Sequence, residues 1–333
     1  MNYVVVGAGA VGCYLGGRLV AAGHSVTFIG RPKVLTTLRQ HGLTITDLDG
    51  FHAHLPGDQL QLADHLDANH FAHACTVLLC VKGGATRSAA QELAAVCPAH
   101  TTVISMQNGV ENADRIRTEA PALAVVAGMV PFNVVLLPDG QVHRGTTGAL
   151  TMARQPATEA LVSPWNTAGL PLELTADMRS VQWGKLLLNL NNPVNALSDL
   201  PLRTQLMDRN YRNVVAALQT EALHALKAAG IRPAKVATAP PLWLPFILRL
   251  PNAVFTRVAA RMLRMDATAR SSMWEDFQQG RVTEIDDLCG AVVRLAQAHG
   301  LQAPANAAMC HLVTQHQAGQ RLSGTALRAV LGT

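Results

Sequence analysis

The sequence predicts an α/β chain: a Rossmann-type, doubly wound parallel sheet at the N-terminus, followed by an all-α C-terminal domain. Three observations predict it. A β-like run leads straight into a glycine-rich turn, "VVVGAGAVGCYLGG". Short aliphatic runs then alternate with amphipathic ones to about residue 175, as strands alternate with crossover helices. Beyond that point helical periodicity runs almost without interruption. At 333 residues the chain is too long for one comfortable core and fits two domains, 1–175 and 176–333.

The strand candidates are Tyr3–Val6, Ser25–Ile29, Thr76–Val81, Thr102–Met106 and Ala124–Val130. Helical patterns lie between them at Ala10–Ala22, Pro32–Gln40, Ala85–Val96 and Asn112–Glu119. After Pro131 the pattern becomes β-like, with a turn at "LPDGQV" and a further edge strand at "GALTMA". From Asp177 onward, helices are expected over Met178–Asn192, Thr204–Ala229, Pro251–Leu263, Thr268–Gln278, Ile285–His299 and Pro304–Gln315. Pro251 and Pro304 suit a first helical position, and Gly230, Gly280 and Gly300 suit the position just past a helix end.

Composition narrows the function. The chain is 49% hydrophobic, 15% charged and 4% aromatic, which describes a soluble, aliphatic globular protein. Its net charge of +5 is scattered, with no basic stripe and interleaved aromatics. That balance fits phosphate-bearing small molecules and not nucleic acid. Six cysteines, at 13, 75, 80, 97, 289 and 310, lack a C-x-x-C pair and read as free thiols in a reducing compartment. No basic n-region with a cleavage site opens the chain, and the longest apolar patch, "PPLWLPFIL", is too short and proline-broken to span a bilayer. A cytoplasmic location without a membrane partner is therefore expected. The histidines of "FHAHLPG" and "ANHFAHA" have no ligand spacing and are expected on surface loops, so no metal site is expected.

The glycine-rich turn carries the cofactor reading. In "GAGAVG", Gly7, Gly9 and Gly12 form G-x-G-x-x-G, with Ala8, Ala10 and Val11 between them. The six-letter pattern is weak alone, but here it follows a strand and opens a helix, the context of a dinucleotide site. Gly7 permits the tight turn, Gly9 lets backbone approach a pyrophosphate, and Gly12 lets helix pack on strand. The helix N-terminus supplies free N–H groups and partial positive charge for the phosphates. The second strand ends "VTFIGRP", with Arg31 where an NAD enzyme would carry an acid, and the next acid is Asp47. An arginine there can hold a 2′-phosphate, which favours NADP(H) over NAD(H). Lys82 and Asn108 follow the third and fourth strands, at the carboxyl ends where such sheets bind ligands. Lys82 is a candidate for the ribose or a phosphate, and Asn108 for the nicotinamide or the substrate. A solvated lysine and a turn-forming Asn-Gly are the structural alternatives.

One later segment, "VQWGKLLLNLNNPVNAL", is mostly core material yet carries a lysine and four asparagines. On a helix, Lys185, Asn189 and Asn192 share a face at i, i+4 and i+7. Leucines fill the other positions, so the polar stripe should open onto a cavity. Pro193 cannot donate to the carbonyl of Asn189 and should kink or end the helix there. A solvated helix face would mix Glu, Gln and Arg with Lys and would not cluster asparagines, which are poor helix formers. A second polar cluster, "ARSSMWEDFQQGRVTEID", offers Ser272 before a helix-like run and Glu284 after a break at Gly280. Either Ser271 or Ser272 could cap that helix.

These motifs in this order, "GAGAVG", "QNG", "WGKLLLNLNN" and "SSMWEDFQQGRVTEID", resemble the ketopantoate reductase family over almost the whole chain. The resemblance implies Lys185 as the catalytic lysine and Glu284 as its supporting acid, with Asn108, Asn189, Asn192 and Ser272 on the substrate. Ser272 and Glu284 keep the family's separation of twelve, whereas Asn192 lies seven residues after the lysine where the best-known pattern has eight. The implied reaction is hydride transfer from NADPH to the keto carbon of ketopantoate, with protonated Lys185 as general acid. The lysine supplies the electrophile, so this chemistry needs no metal. Two alternatives stand beside it: a paralogous reductase of another branched or larger 2-keto acid, and a non-catalytic NADP(H)-binding regulator. The apolar segment from Lys235 to Met265 reads as a lid, a subunit contact or the wall of an enlarged pocket. A homodimer is compatible with the chain, though no residue pattern fixes the oligomeric state.

Overall fold

The computed structural model describes residues 1–333 except 237–238, 261–262, 264–267, 318 and 333. The chain divides into two compact units, Met1–Met178 and Arg179–Thr333.

The first unit is built on twelve strands among its described residues. They are β1 (Asn2–Val6), β2 (Ser25–Ile29), β3 (Leu43–Asp47), β4 (His52–Leu55), β5 (Gln61–Ala63) and β6 (Thr76–Leu79), then β7 (Thr102–Ser105), β8 (Ala124–Met129), β9 (Val134–Leu137), β10 (Gln141–Arg144), β11 (Leu150–Ala153) and β12 (Leu172–Thr175). Its helices are α1 (Ala10–Ala21), α2 (Pro32–His41), α3 (Thr86–Val96), α4 (Asn112–Glu119), α5 (Pro156–Glu159) and α6 (Val162–Thr167). The main sheet runs β12-β11-β8-β7-β6-β1-β2-β5, and its β5-to-β8 portion is wholly parallel. Val4, Val5 and Val6 of β1 are all buried, as expected of a central parallel strand covered on both faces. Strand order reverses at β1, so the carboxyl ends of β1 and β6 flank the switch point where such sheets bind ligands.

Residues 43–63 depart from the sequence expectation by forming three strands. Only β3 shows the alternating burial of a half-buried strand, while β5 is three residues long. A second sheet, β4-β3-β10-β9, joins β3 in parallel to β10, about a hundred residues away in the chain. No local periodicity encodes such a pairing. His52 and His54 therefore lie on β4 and not on a loop, with His54 Nδ1 2.9 Å from the hydroxyl of Thr44 across the strand pair. The expected turn joins β9 to β10, with Asp139 and Gly140 both at positive φ (56° and 70°), as a type I′ hairpin requires. The strand at "GALTMA", expected at an edge, is the interior strand β11, flanked by β8 and β12.

The smaller sheet is fixed to α1 by buried charge. Asp47 accepts from Arg18 at 3.0 Å and lies 3.2 Å from the guanidinium of Arg144. Arg18 also donates to the carbonyl of Ala168 at 2.9 Å, and its guanidinium lies 3.6 Å over the ring of Phe51. All three charged residues are buried, and mutual pairing is what makes that tolerable.

The second unit is helical: α7 (Met178–Asn189), α8 (Asn191–Ser198), α9 (Leu202–Met207), α10 (Arg209–Ala228), α11 (Leu244–Arg249), α12 (Asn252–Val258), α13 (Ser272–Gln278), α14 (Ala291–Ala298), α15 (Pro304–Thr314) and α16 (Gly324–Leu331). α10 is its hub and packs on α11, α14 and α16. Several expected helices are broken. The Met178–Asn192 helix ends at Asn189 and restarts at Asn191, beside the proline that cannot donate back to it. The Thr204–Ala229 helix is interrupted at Asp208, whose side chain accepts from Asn210 N at 2.8 Å and caps α10. Pro251 is the cap of α12 and not its first residue, and that helix ends at Val258; residues 261 and 262 of the expected Pro251–Leu263 helix lie outside the described residues. The expected Thr268–Gln278 helix starts only at Ser272, and Ile285–His299 opens with a π-helical turn at Asp286–Gly290. Gly230, Gly280 and Gly300 sit just past helix ends with φ of 68°, 59° and 69°.

Candidate functional site

In the first unit, the glycine loop shows three different needs for the same residue. Gly7 has φ of 106°, and a Cβ there would lie 2.7 Å from the backbone nitrogen of Val81. A Cβ on Gly12 would come within 2.2 Å of the Gly7 carbonyl oxygen, so α1 can approach the loop only without a side chain. Gly9 is the opposite case: nothing lies within 4 Å of its Cβ position, which leaves backbone open to an approaching ligand. No side chain caps α1, and the N–H groups of Ala10, Val11 and Gly12 have no carbonyl to reach within the helix. Together with the helix dipole they fit the pyrophosphate of a dinucleotide. Ala8 is buried and anchors the loop to β2 by donating to the carbonyl of Ile29 at 3.0 Å.

The neighbouring strand ends supply the other candidates. Arg31 follows β2, caps α2 and is exposed. No acid occurs between Ile29 and Asp47, and Asp47 is committed to Arg18 and Arg144. Lys82 follows β6, half-buried, and opens the 3₁₀ turn Gly83–Ala85. Asn108 follows β7, also half-buried, and its carbonyl accepts from the Asn112 side chain at 2.6 Å. A polar network that sequence reading missed lies beneath it. Ser105 donates to Gln107 at 2.9 Å, and Gln107 donates to the Val81 carbonyl at 2.9 Å and to Thr86 at 2.7 Å. Thr86 in turn donates to Asn112 at 2.9 Å. Gln107, beside Asn108 at the strand tip, thus ties the β6 and β7 loops together. Its partners lie up to 26 residues away, so no local pattern signals them.

In the second unit, α7 is gripped on two sides and leaves a third half-open. Gly184 lets the 231–236 segment pack directly on the helix, since a Cβ there would lie 2.3 Å from the Ala234 carbonyl oxygen. Ala234 N donates to the Ser180 carbonyl at 2.9 Å, and Gln219 of α10 donates to the Leu187 carbonyl at 2.9 Å. Trp183, Leu186, Leu187 and Leu190 are buried, whereas Lys185, Leu188, Asn189 and Asn192 are only half-buried. Lys185 and Asn189 stand one turn apart on α7, whereas Asn192, expected on the same helix, falls on α8 beyond the break at Leu190. Burial pushes the Lys185 amine down to about 8, which leaves it mostly protonated at neutral pH and close to the range suited to a general acid.

The serine pair resolves into two roles. Ser271 is the buried cap of α13, its hydroxyl accepting from Trp274 N at 3.2 Å, while Ser272 is the first helical residue and is exposed. Glu284 is half-buried, and its carbonyl accepts from Asp287 N at 3.1 Å at the start of the π turn. Among the described residues, no group of three or more His, Cys, Asp or Glu could hold a metal ion, and no helix is long and apolar enough to cross a membrane.

A Rossmann-type unit with an open glycine loop, followed by a helical unit carrying a half-buried lysine, fits a nucleotide-dependent oxidoreductase. Comparison with known proteins makes it specific. Residues 3–156 match the model of the family described as ketopantoate reductase PanE/ApbA, and residues 177–317 match that family's C-terminal model. The chain belongs to the ketopantoate reductase family and is an oxidoreductase acting on CH–OH groups. The 2-dehydropantoate 2-reductase of Halobacterium salinarum is 28% identical over 320 residues, covering 94% of this chain and 98% of that protein. The crystal structure of a PanE/ApbA family ketopantoate reductase from Ralstonia eutropha superposes with a TM-score of 0.80 at 28% identity, covering 94% and 97% of the two chains. D-mandelate dehydrogenase, solved with NADH and anilino(oxo)acetate, shares the fold at a TM-score of 0.77 and 19% identity, with 94% and 97% coverage.

Proposed function

We propose that the chain is a cytoplasmic, NADPH-dependent 2-dehydropantoate 2-reductase, reducing ketopantoate to pantoate in pantothenate synthesis. The observation that carries this reading is the α7 stripe. It sets a lysine with a lowered pKa one turn from the Asn189 amide on a helix whose Trp183, Leu186 and Leu187 are buried, with Asn192 in the first turn of α8. The first unit is the NADP-binding domain and the second the substrate and catalytic domain.

The loop Gly7–Gly12 and the first turn of α1 would take the pyrophosphate. Arg31 would hold the 2′-phosphate, Lys82 a ribose or phosphate oxygen, and Asn108 the nicotinamide or the substrate. Reduced NADP supplies the hydride when bound. As the keto oxygen gains negative charge, the Lys185 ammonium stabilises it and hands over a proton. Glu284 holds that ammonium in place. Asn189, Asn192 and Ser272 fix the substrate carboxylate and hydroxyl by hydrogen bonds.

The test is NADPH oxidation with ketopantoate and a panel of other 2-keto acids, including bulky aromatic ones. Ketopantoate is expected to give the highest kcat/KM, and Lys185→Ala to lower turnover by about 100-fold or more, the scale of positioned acid catalysis. Preference for another 2-keto acid would reassign the substrate, and near-normal turnover in Lys185→Ala would remove the lysine from the mechanism.

A further inference from the structure

Two of the residues assigned to the substrate, Asn192 and Ser272, lie about eighty positions apart in the chain, on α8 and α13. They are tied by groups that the proposed mechanism does not use. The Ser271 hydroxyl donates to the carbonyl of Asn192 at 3.2 Å, while accepting from Trp274 N to close the first turn of α13. The Ser271 N–H donates to the side-chain oxygen of Asn195 at 2.9 Å. Asn195 is completely buried, and its amide nitrogen donates to the Leu200 carbonyl at 2.9 Å, so a single side chain spans α8, the loop after it and the entry to α13. A further clamp lies one turn along: the Trp274 indole and Arg270 both donate to Asp199, at 2.7 and 3.1 Å.

We propose that Ser271 and Asn195 are positioning residues that hold Asn192 and Ser272 in one fixed relation, so that both can engage the same 2-keto acid. The proposal rests on the substrate reading above. Asn192 stands in the first turn of α8, just past the break at Leu190, so a hydrogen bond from outside the helix fixes the direction of that turn. Ser271 supplies that bond from the residue adjacent to Ser272. A shift at one position is thereby transmitted to the other. Displacements of about 1 Å at a substrate contact can cost two orders of magnitude in rate, so the tether should register in catalysis and not only in stability.

The experiment separates the Michaelis constant for the keto acid from that for NADPH in Ser271→Ala, Ser271→Gly, Ser271→Thr and Asn195→Ala. Ser271→Ala, Ser271→Gly and Asn195→Ala are expected to lose about 10- to 100-fold in kcat/KM for the keto acid. The constant for NADPH should stay within about twofold, because none of these groups belongs to the dinucleotide loop. Ser271→Thr, which keeps the hydroxyl, should recover to within about threefold of the parent. Glycine is nearly as good a helix cap as serine, so Ser271→Gly remains a folded probe of the lost bond to Asn192 if the alanine variants do not fold. Unchanged keto-acid constants in Ser271→Gly, an equal rise in both Michaelis constants, or no recovery in Ser271→Thr would each overturn the proposal. A parent enzyme inactive on every 2-keto acid would instead defeat the substrate reading itself.

Discussion

Two of the loop glycines can be separated by single substitutions, because a side chain at Gly12 would meet backbone and one at Gly9 would meet nothing. Gly12→Ala would push a methyl into the Gly7 carbonyl 2.2 Å away, and should lower the thermal midpoint by several degrees even without nucleotide. Gly9→Ala finds open space, so its melting curve should match the parent while NADPH binding weakens by at least tenfold, measured by fluorescence titration. Equal melting losses in the two variants would refute this division. In the proposed mechanism Lys185 sets the pH behaviour. Its amine is displaced to about 8 by burial, and that mechanism uses the protonated form. Ketopantoate reduction should therefore be sustained below that value and decline as pH rises through it; a rate flat from pH 7 to 10 would exclude Lys185 as the acid. Arg31→Ala should raise the Michaelis constant for NADPH far more than that for NADH, since only the former carries the 2′-phosphate.

Among the secondary elements, the small sheet is held to α1 through Asp47. Desolvation pushes the Asp47 carboxyl up, but donation from Phe51 N, the Arg144 guanidinium and Asp49 N outweighs it and leaves the carboxyl below its usual value. A carboxylate with a depressed folded pKa contributes stability that is fully present above its unfolded value, near 4, and is lost as pH falls through the folded one. The unit should thus lose stability in strongly acidic solution and show no change from Asp47 titration between pH 6 and 8. Asp47→Ala leaves two buried guanidinium groups without their shared anion and should cost about 3–5 kcal/mol by denaturant unfolding. A loss below about 1 kcal/mol would place this cluster with ordinary surface pairs.

On the scale of the whole molecule, nucleotide choice can be read from stability as well as from rate. A ligand at a hundred times its dissociation constant adds about 2.7 kcal/mol to the state that binds it. NADPH should accordingly raise the melting temperature at concentrations where NADH does little, and equal shifts would argue against discrimination by Arg31. At this scale the helical unit also presents Leu242, Trp243 and Phe246 to solvent, each more than 60% exposed, within the apolar segment that the sequence already set apart.

The amino-acid sequence by itself determined much of what depends on neighbours in the chain. The glycine spacing at Gly7, Gly9 and Gly12, the strand-helix alternation and the Lys185–Asn189 pair are local patterns, and backbone sterics with helical period turn them directly into structure. The motifs of "WGKLLLNLNN" and "SSMWEDFQQGRVTEID" were enough to point to the family. Tertiary structure alone decided what depends on distant partners. It paired β3 with β10 and committed Asp47 to two arginines. It also separated the buried cap Ser271 from exposed Ser272, and made Asn195 the link between α8 and α13. These groups have no fixed spacing in the chain. Their roles arise only when burial removes water and leaves each polar atom to find a partner wherever the fold has brought one.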